Sequence, residues 1–241
     1  MEKNKLSSFS IALFGGAYFQ GKNSTIDHSQ KEGFSYLKGS KEEVRQVALK
    51  FVDKHWHVQL ETGYAANEGN FKKNSGKNAP FILHIATHGF YNTDNSIDSK
   101  AEFPLLRSGF VLSGANFFWG KDTTAHPGAD DGIVTAQEVA NLDFTKTDLV
   151  CLSACESALG DINNNEGVYG LQRAFKIAGV KNLLITLWGI PDTQTKELIY
   201  IFYTHILQGA SYYEALKKAE LKMKSKYPDP VVWAGFELIG E

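Results

Sequence analysis

LVCLSACESALGD (149–161) opens as an apolar run and stops at a reactive side chain, Cys155. FILHIATHGFY (81–91) has the same form and stops at His88, followed by Gly89. Short apolar runs bounded by polar, glycine-bearing segments predict buried strands, and the segments around these two decide what kind of sheet they join.

Upstream, SFSIALFGG predicts a first strand. KGSKEEVRQVALKF predicts a helix, because Val44, Val47, Ala48 and Phe51 follow i, i+3, i+4, i+7 spacing and Ser40 and Glu43 stand at capping-box separation. HVQLET (57–62) reads as a short strand and NEGNFKKNSGKNAP as a weak helix or loop. Residues 92–132, rich in Asn, Asp, Ser and Gly around the strand-like SGFVLSGA, interrupt the alternation and predict a hairpin or flap projecting from the sheet, too short for a second domain. TAQEVANLDF then predicts a helix capped by Thr135 and Glu138.

Beyond Cys155 the loop SALGDINNNEG leads to the helix GVYGLQRAFKIAG, ending on Gly179, and to the strand NLLITLW. A long helix begins just after Pro191, a second is capped by Ser211 and Glu214, and WAGFELIG closes as a strand. Strands alternating with helices at this spacing predict one α/β domain over residues 1–241. Its mainly parallel sheet is covered by helices on both faces, with sites at the C-terminal ends of the strands.

With 241 residues, 43% of them hydrophobic, the chain can fill a sizeable core. A formal charge of -2 gives no basic field to draw nucleic acid or an anionic membrane. Two cysteines make neither a disulfide framework nor paired zinc ligands, so a reducing, cytoplasmic setting is expected, with no cofactor or metal. Lys3 and Lys5 precede the apolar Ile11–Phe14, but Gly15 and Gly16 break that run too early for a signal peptide. No run reaches the roughly 20 residues needed to span a bilayer.

In a parallel sheet His88 and Cys155 emerge on one edge, which places an imidazole beside a thiol. A thiol attacks as thiolate, and a neighbouring imidazole lowers its pKa or takes its proton. The N–H groups of Gly89 and Cys155 could then form an oxyanion hole. A core cysteine with an unrelated loop histidine is the plainer alternative. Cys151 fits the packing role, and four strand residues hold it about 13 Å from Cys155, out of disulfide range. The same rise separates His84 from His88 by about 13 Å, so His84 reads as a hydrogen-bonded structural histidine and not as a metal partner. The FGG of residues 14–16 lacks the dinucleotide-binding pattern, and no GxSxG elbow serves Ser153 or Ser157.

These motifs together resemble a CHAT domain, the caspase-like cysteine peptidase module. LKGSKEEV, ATHGF, PLLRSGFVLSGA, DGIVTAQEVANLDF, LVCLSACESALGD, EGVYGLQRAFKIAGVKNLLITLWGIPD and WAGFELIG occur in family order from about Tyr36 to Gly240. The resemblance implies a caspase-like three-layer fold and a His88–Cys155 dyad. It also implies a peptide substrate paired along the sheet edge and regulation by a tetratricopeptide-repeat module or partner. SACES replaces the caspase signature, and the dyad spacing, 155 minus 88 or 67 residues, exceeds the about 50 of caspases, so caspase preference for Asp is not carried over.

By similarity to the wider clan, Ser153, two before the cysteine, lines the first specificity pocket. PDTQTKE is similar to an acidic metacaspase loop, which makes Asp192 either a pocket wall or simply the N-cap of its helix. Glu156 and Asp161 are further candidates for shaping the pocket. The function implied is a cysteine endopeptidase that cuts a protein partner at a specific site through a thioester. A catalytically silent interaction module on the same fold is the alternative.

Overall fold

The computed structural model describes residues 9–20, 33–91, 104–119, 130–154 and 166–240. The strands in these segments are β1 (Ser10–Ala17), β2 (His57–Gly63), β3 (Ile82–Thr87), β4 (Gly89–Tyr91), β5 (Ser108–Val111), β6 (Ile133–Thr135), β7 (Leu149–Ala154), β8 (Asn182–Thr186) and β9 (Phe236–Ile239). The helices are α1 (Lys38–Val52), α2 (Glu68–Lys73), α3 (Ala115–Phe118), α4 (Ala136–Ala140), α5 (Glu166–Ile177), α6 (Asp192–Leu207) and α7 (Tyr212–Lys226).

Six strands form one sheet in the order β2-β1-β3-β7-β8-β9. Every neighbouring pair is parallel except β8 and β9, which run antiparallel. Side chains alternate across the sheet. Ile11, Leu13, Ile82, Leu149, Cys151 and Leu184 pack with Val44, Phe51, Leu198 and Phe202 of α1 and α6. The other face sends Phe14, Leu83, Ile85, Val150 and Leu152 against Phe71, Val139, Leu171 and Phe175. Each fully buried Leu or Phe contributes about 1.5–3 kcal/mol, so both faces must be covered, as the near-continuous apolar strands imply. The architecture is the expected α/β one, a mostly parallel sheet between helical layers.

A second, antiparallel sheet, β4-β5-β6, grows directly from the end of β3. Its middle strand falls within 92–132, and the described part of that stretch is drawn into the core: Phe110, Val111, Leu112 and Ala115 are buried. Residues 92–103 and 120–129 lie outside the described residues.

Capping boxes form as read at Thr135/Glu138 and Ser211/Glu214. The one expected at Ser40/Glu43 does not. Helix α1 starts at Lys38, three residues before the start a Ser40 cap implies, with Leu37 at the cap and no side-chain cap bond. Ser40 Oγ donates to the Leu37 carbonyl and accepts from the Gly16 N–H, while Glu43 turns inward. This end is pressed onto β1, where the side chains of Ser40 and Glu43 are taken up by other partners. A Cβ on Gly15 would come within 2.7 Å of the Ser40 carbonyl oxygen, and one on Gly16 within 2.5 Å of Lys41 Cβ. The FGG pair therefore serves close helix–strand packing.

Candidate active site

His88 directly follows β3 and precedes β4, so both sheets fix its backbone. Its carbonyl accepts from the Val111 N–H at 3.0 Å. Its ring lies between Phe19 and Phe34, with centroids 5.2 and 5.5 Å away, and only 4% of the residue is exposed. Nε2 sits 2.7 Å from the Ser35 carbonyl oxygen. A carbonyl only accepts, so Nε2 carries the proton, and Nδ1 is the basic nitrogen of the neutral ring. An imidazole oriented on one nitrogen and basic on the other is the arrangement a general base requires.

The Ser35 carbonyl is itself held in place. Phe34 donates its N–H to Asn116 Oδ1 at 2.7 Å and accepts from Asn116 Nδ2 at 2.9 Å, while the Asn116 N–H bonds the Phe19 carbonyl. One residue on α3, through its side chain to Phe34 and its backbone N–H to Phe19, thus ties together the two segments that enclose His88.

Parallel register pairs Thr87 with Ala154 at the ends of β3 and β7. The Ala154 carbonyl accepts from Thr186 Oγ1 at 3.0 Å, anchoring the end of β7 to β8. The next residue in sequence is Cys155; it, Glu156 and Asp161 lie outside the described residues. Gly89 is the first residue of β4, paired with Phe110.

Beneath this edge, on the α1 and α6 face, lies a buried polar network that the sequence only half announced. His84 is fully buried, with Nε2 2.9 Å from Glu43 Oε1 and Nδ1 3.1 Å from the Tyr203 hydroxyl. Cys151, its register partner on β7, is a buried free thiol. Burial opposes a charged imidazole, but the adjoining Cys151 sulfur and the Glu43 carboxylate outweigh it, and the His84 pKa is raised to about 10. The second Glu43 oxygen, Oε2, is 3.5 Å from Ser153 Oγ. His84 is therefore structural, as its spacing implied, and Ser153 is 4% exposed and joined to that network.

Asp192 is the first residue of α6, and Pro191 is the cap, so Asp192 does not cap its own helix. Its Oδ2 instead accepts from the Gly39 N–H at 3.1 Å, in the first turn of α1. A Cβ on Gly39 would fall 2.5 Å from Asp192 Cβ, so only glycine lets the carboxylate so close. A carboxylate at a helix N-terminus bonds orphan N–H groups and meets the positive dipole end. Asp192→Ala is expected to cost about 1 kcal/mol in urea unfolding, and Asp192→Asn much less, because an amide oxygen also accepts. Equal losses for both would remove this contact from the account.

Glu43, Tyr203 and the Ser35 carbonyl were missed by sequence reasoning. Glu43 did leave a signal: it occupies the same stripe as Val44, Val47 and Phe51, and a carboxylate on an apolar stripe requires a buried partner. A backbone carbonyl carries no sequence signal. Among the described residues no group of three His, Cys, Asp or Glu side chains could hold a metal ion, and no helix is long and apolar enough to cross a membrane.

The sequence profile of the CHAT domain family matches residues 7–241. Tetratricopeptide repeat protein 28 of Mus musculus is 34% identical over 112 residues, 45% of this chain, and its Homo sapiens counterpart 32% over 123 residues, 50% of the chain. The matched regions span only 4% and 5% of those curated relatives. A crystal structure of a protein from Geobacter sulfurreducens shares the fold, with a TM-score of 0.50 and 17% identity over 97% of this chain and 94% of that one.

Proposed function

The chain belongs to the CHAT domain family, a caspase-like family, and on that premise we propose that it is a cysteine endopeptidase using His88 and Cys155. The observation that carries this reading is the oriented imidazole. His88 donates Nε2–H to the Ser35 carbonyl, and its basic Nδ1 belongs to a residue leaving β3 level with the end of β7. Cys155, next after Ala154, supplies the nucleophile.

In the proposed reaction Nδ1 takes the thiol proton as Sγ bonds to the scissile carbonyl carbon. The tetrahedral oxyanion is received by the N–H groups of Gly89 and Cys155. Collapse breaks the C–N bond, His88 passes its proton to the leaving amine, and a thioester remains. Water, deprotonated by the same nitrogen, then attacks the thioester and releases a carboxylate and the free thiol. Ser153 and Asp192 contact α1 at Glu43 and Gly39, and with Glu156 and Asp161 they are the residues proposed to shape the pocket for the side chain before the scissile bond. The relatives' name supports a tetratricopeptide-repeat module or partner as regulator.

A peptide-library cleavage profile of the wild type beside Cys155→Ala tests the reading. A defined cleavage pattern that vanishes in the variant, with an unchanged melting temperature, is the expected result. Cleavage retained by Cys155→Ala removes the mechanism. Peptide binding without cleavage by the wild type turns the protein into an interaction module on the same fold.

A further inference from the structure

Three tyrosines gather at the ends of β1 and β2 and just ahead of α1, and the proposed chemistry does not use them. Tyr18 follows β1, Tyr64 follows β2, and Tyr36 lies just ahead of α1. Their ring centroids are 5.7 Å apart for Tyr18 and Tyr36, and 5.0 Å for Tyr18 and Tyr64. Each is substantially exposed, at 38, 45 and 42% for Tyr18, Tyr36 and Tyr64. Large aromatic rings are ordinarily buried, so three joined through Tyr18 at a surface mark a place where apolar area waits to be covered.

The cluster is built on firm backbone. The Tyr18 carbonyl accepts from the Gly114 N–H at 3.1 Å and from Ser113 Oγ at 3.0 Å, and its N–H donates to the Gly63 carbonyl at 3.4 Å. Partial desolvation and the neighbouring Tyr18 raise the Tyr36 phenol above its ordinary value.

Two of the three are chain neighbours of the groups that hold His88. Tyr18 precedes Phe19, which packs on the imidazole, and Tyr36 follows Ser35, whose carbonyl orients it. The sheet order β2-β1-β3-β7 puts the ends of β1 and β2 on the side of His88 away from β7. A dyad histidine must protonate the leaving amine, so the segment following the scissile bond departs past the histidine and away from the cysteine.

We propose that Tyr18, Tyr36 and Tyr64 form a subsite for a large apolar side chain of the substrate within the first few residues after the scissile bond. The occupant is the leaving segment of the polypeptide, because Tyr18 and Tyr36 adjoin in sequence Phe19 and Ser35, which hold His88, and stand on the side of it away from β7. Tyrosine rings supply broad contact area at low conformational cost. This inference rests on the peptidase reading for its direction along the substrate.

The test varies the second and third residues after the cleaved bond in a fluorogenic peptide series: Leu, Phe, Lys, Arg and Gly. The wild type is expected to favour Leu or Phe over Gly by about tenfold in kcat/KM, the scale of a filled apolar pocket. Tyr18→Ala and Tyr36→Ala should erase that preference without changing the iodoacetamide alkylation rate of Cys155. Tyr36→Phe should keep the preference, and so should Tyr213→Ala, which alters an exposed ring on α7. Tyr64→Ala serves if either principal variant fails to fold. A preference that survives the alanine variants, or one for Lys or Arg, overturns the proposed subsite and leaves the dyad standing. If the wild type cleaves no peptide, the peptidase reading falls, and the subsite is read from anisotropy of the same peptides on Cys155→Ala. Weaker binding of the Leu and Phe peptides after adding Tyr36→Ala then sustains the subsite for a large apolar side chain but not its place relative to a cleaved bond, and unchanged or absent binding overturns it whole.

Discussion

His88→Ala is expected to lower kcat/KM for any cleaved peptide by about 10³-fold or more, because in the proposed mechanism one ring acts as base toward the thiol and as acid toward the leaving amine. The Ser35 carbonyl would lose its donor, and the space between Phe19 and Phe34 would be left partly empty. Some loss of stability should accompany the loss of turnover, so rate alone does not identify the role. Alkylation of Cys155 supplies the separate readout. With the imidazole present, the proposed dyad should raise the thiolate fraction. Without it, the pH profile for iodoacetamide should move toward the ordinary thiol value of about 8.5. Cys151 is fully buried and should stay unlabelled in the folded protein, which keeps the measurement specific. An alkylation profile unaffected by His88→Ala would mean that the two side chains do not interact, and the dyad would fall even if Cys155 itself proved necessary.

Glu43→Ala is expected to be strongly destabilising although it removes no apolar packing. It removes the carboxylate 2.9 Å from His84 Nε2 and leaves a fully buried imidazole facing an empty site. Breaking one side of a buried ion pair costs about 3–5 kcal/mol, which for a chain of this size lowers Tm by on the order of 10 °C. Glu43→Gln should cost less, because the amide oxygen can still accept from Nε2.

The two forms also differ in pH dependence. The folded His84 pKa, about 10, lies above its ordinary 6.5. Its stabilising contribution is therefore complete below the lower value and is lost as pH rises through the higher one. The wild type should accordingly lose its stability advantage over Glu43→Gln between about pH 6 and about pH 10, other titrations cancelling between the two proteins. A gap that stays constant across that range would show that His84 is not charged in the fold.

The strand runs that end at His88 and Cys155 were legible because their information is local. Apolar periodicity, glycine stops and capping boxes at Thr135 and Ser211 all act within a few residues, and together they determined the alternation, the mainly parallel sheet and the edge on which His88 emerges. Ser40 and Glu43 had the spacing of a capping box and formed none, since the end of α1 is pressed against β1 and Glu43 is drawn to a histidine 41 residues away. Asp192 had the position of a cap for its own helix and instead bonds a helix 153 residues upstream.

The partners of these side chains, the carbonyl that orients His88 and the gathering of Tyr18, Tyr36 and Tyr64 were decided only by the tertiary structure. Sequence alone determined which residue types reach the sheet edge, because strand and helix periods are properties of a continuous chain. It did not determine what they meet there, because hydrogen bonds and ring contacts between distant segments depend on packing that brings β1, β2, β3 and α1 together at one end of the sheet.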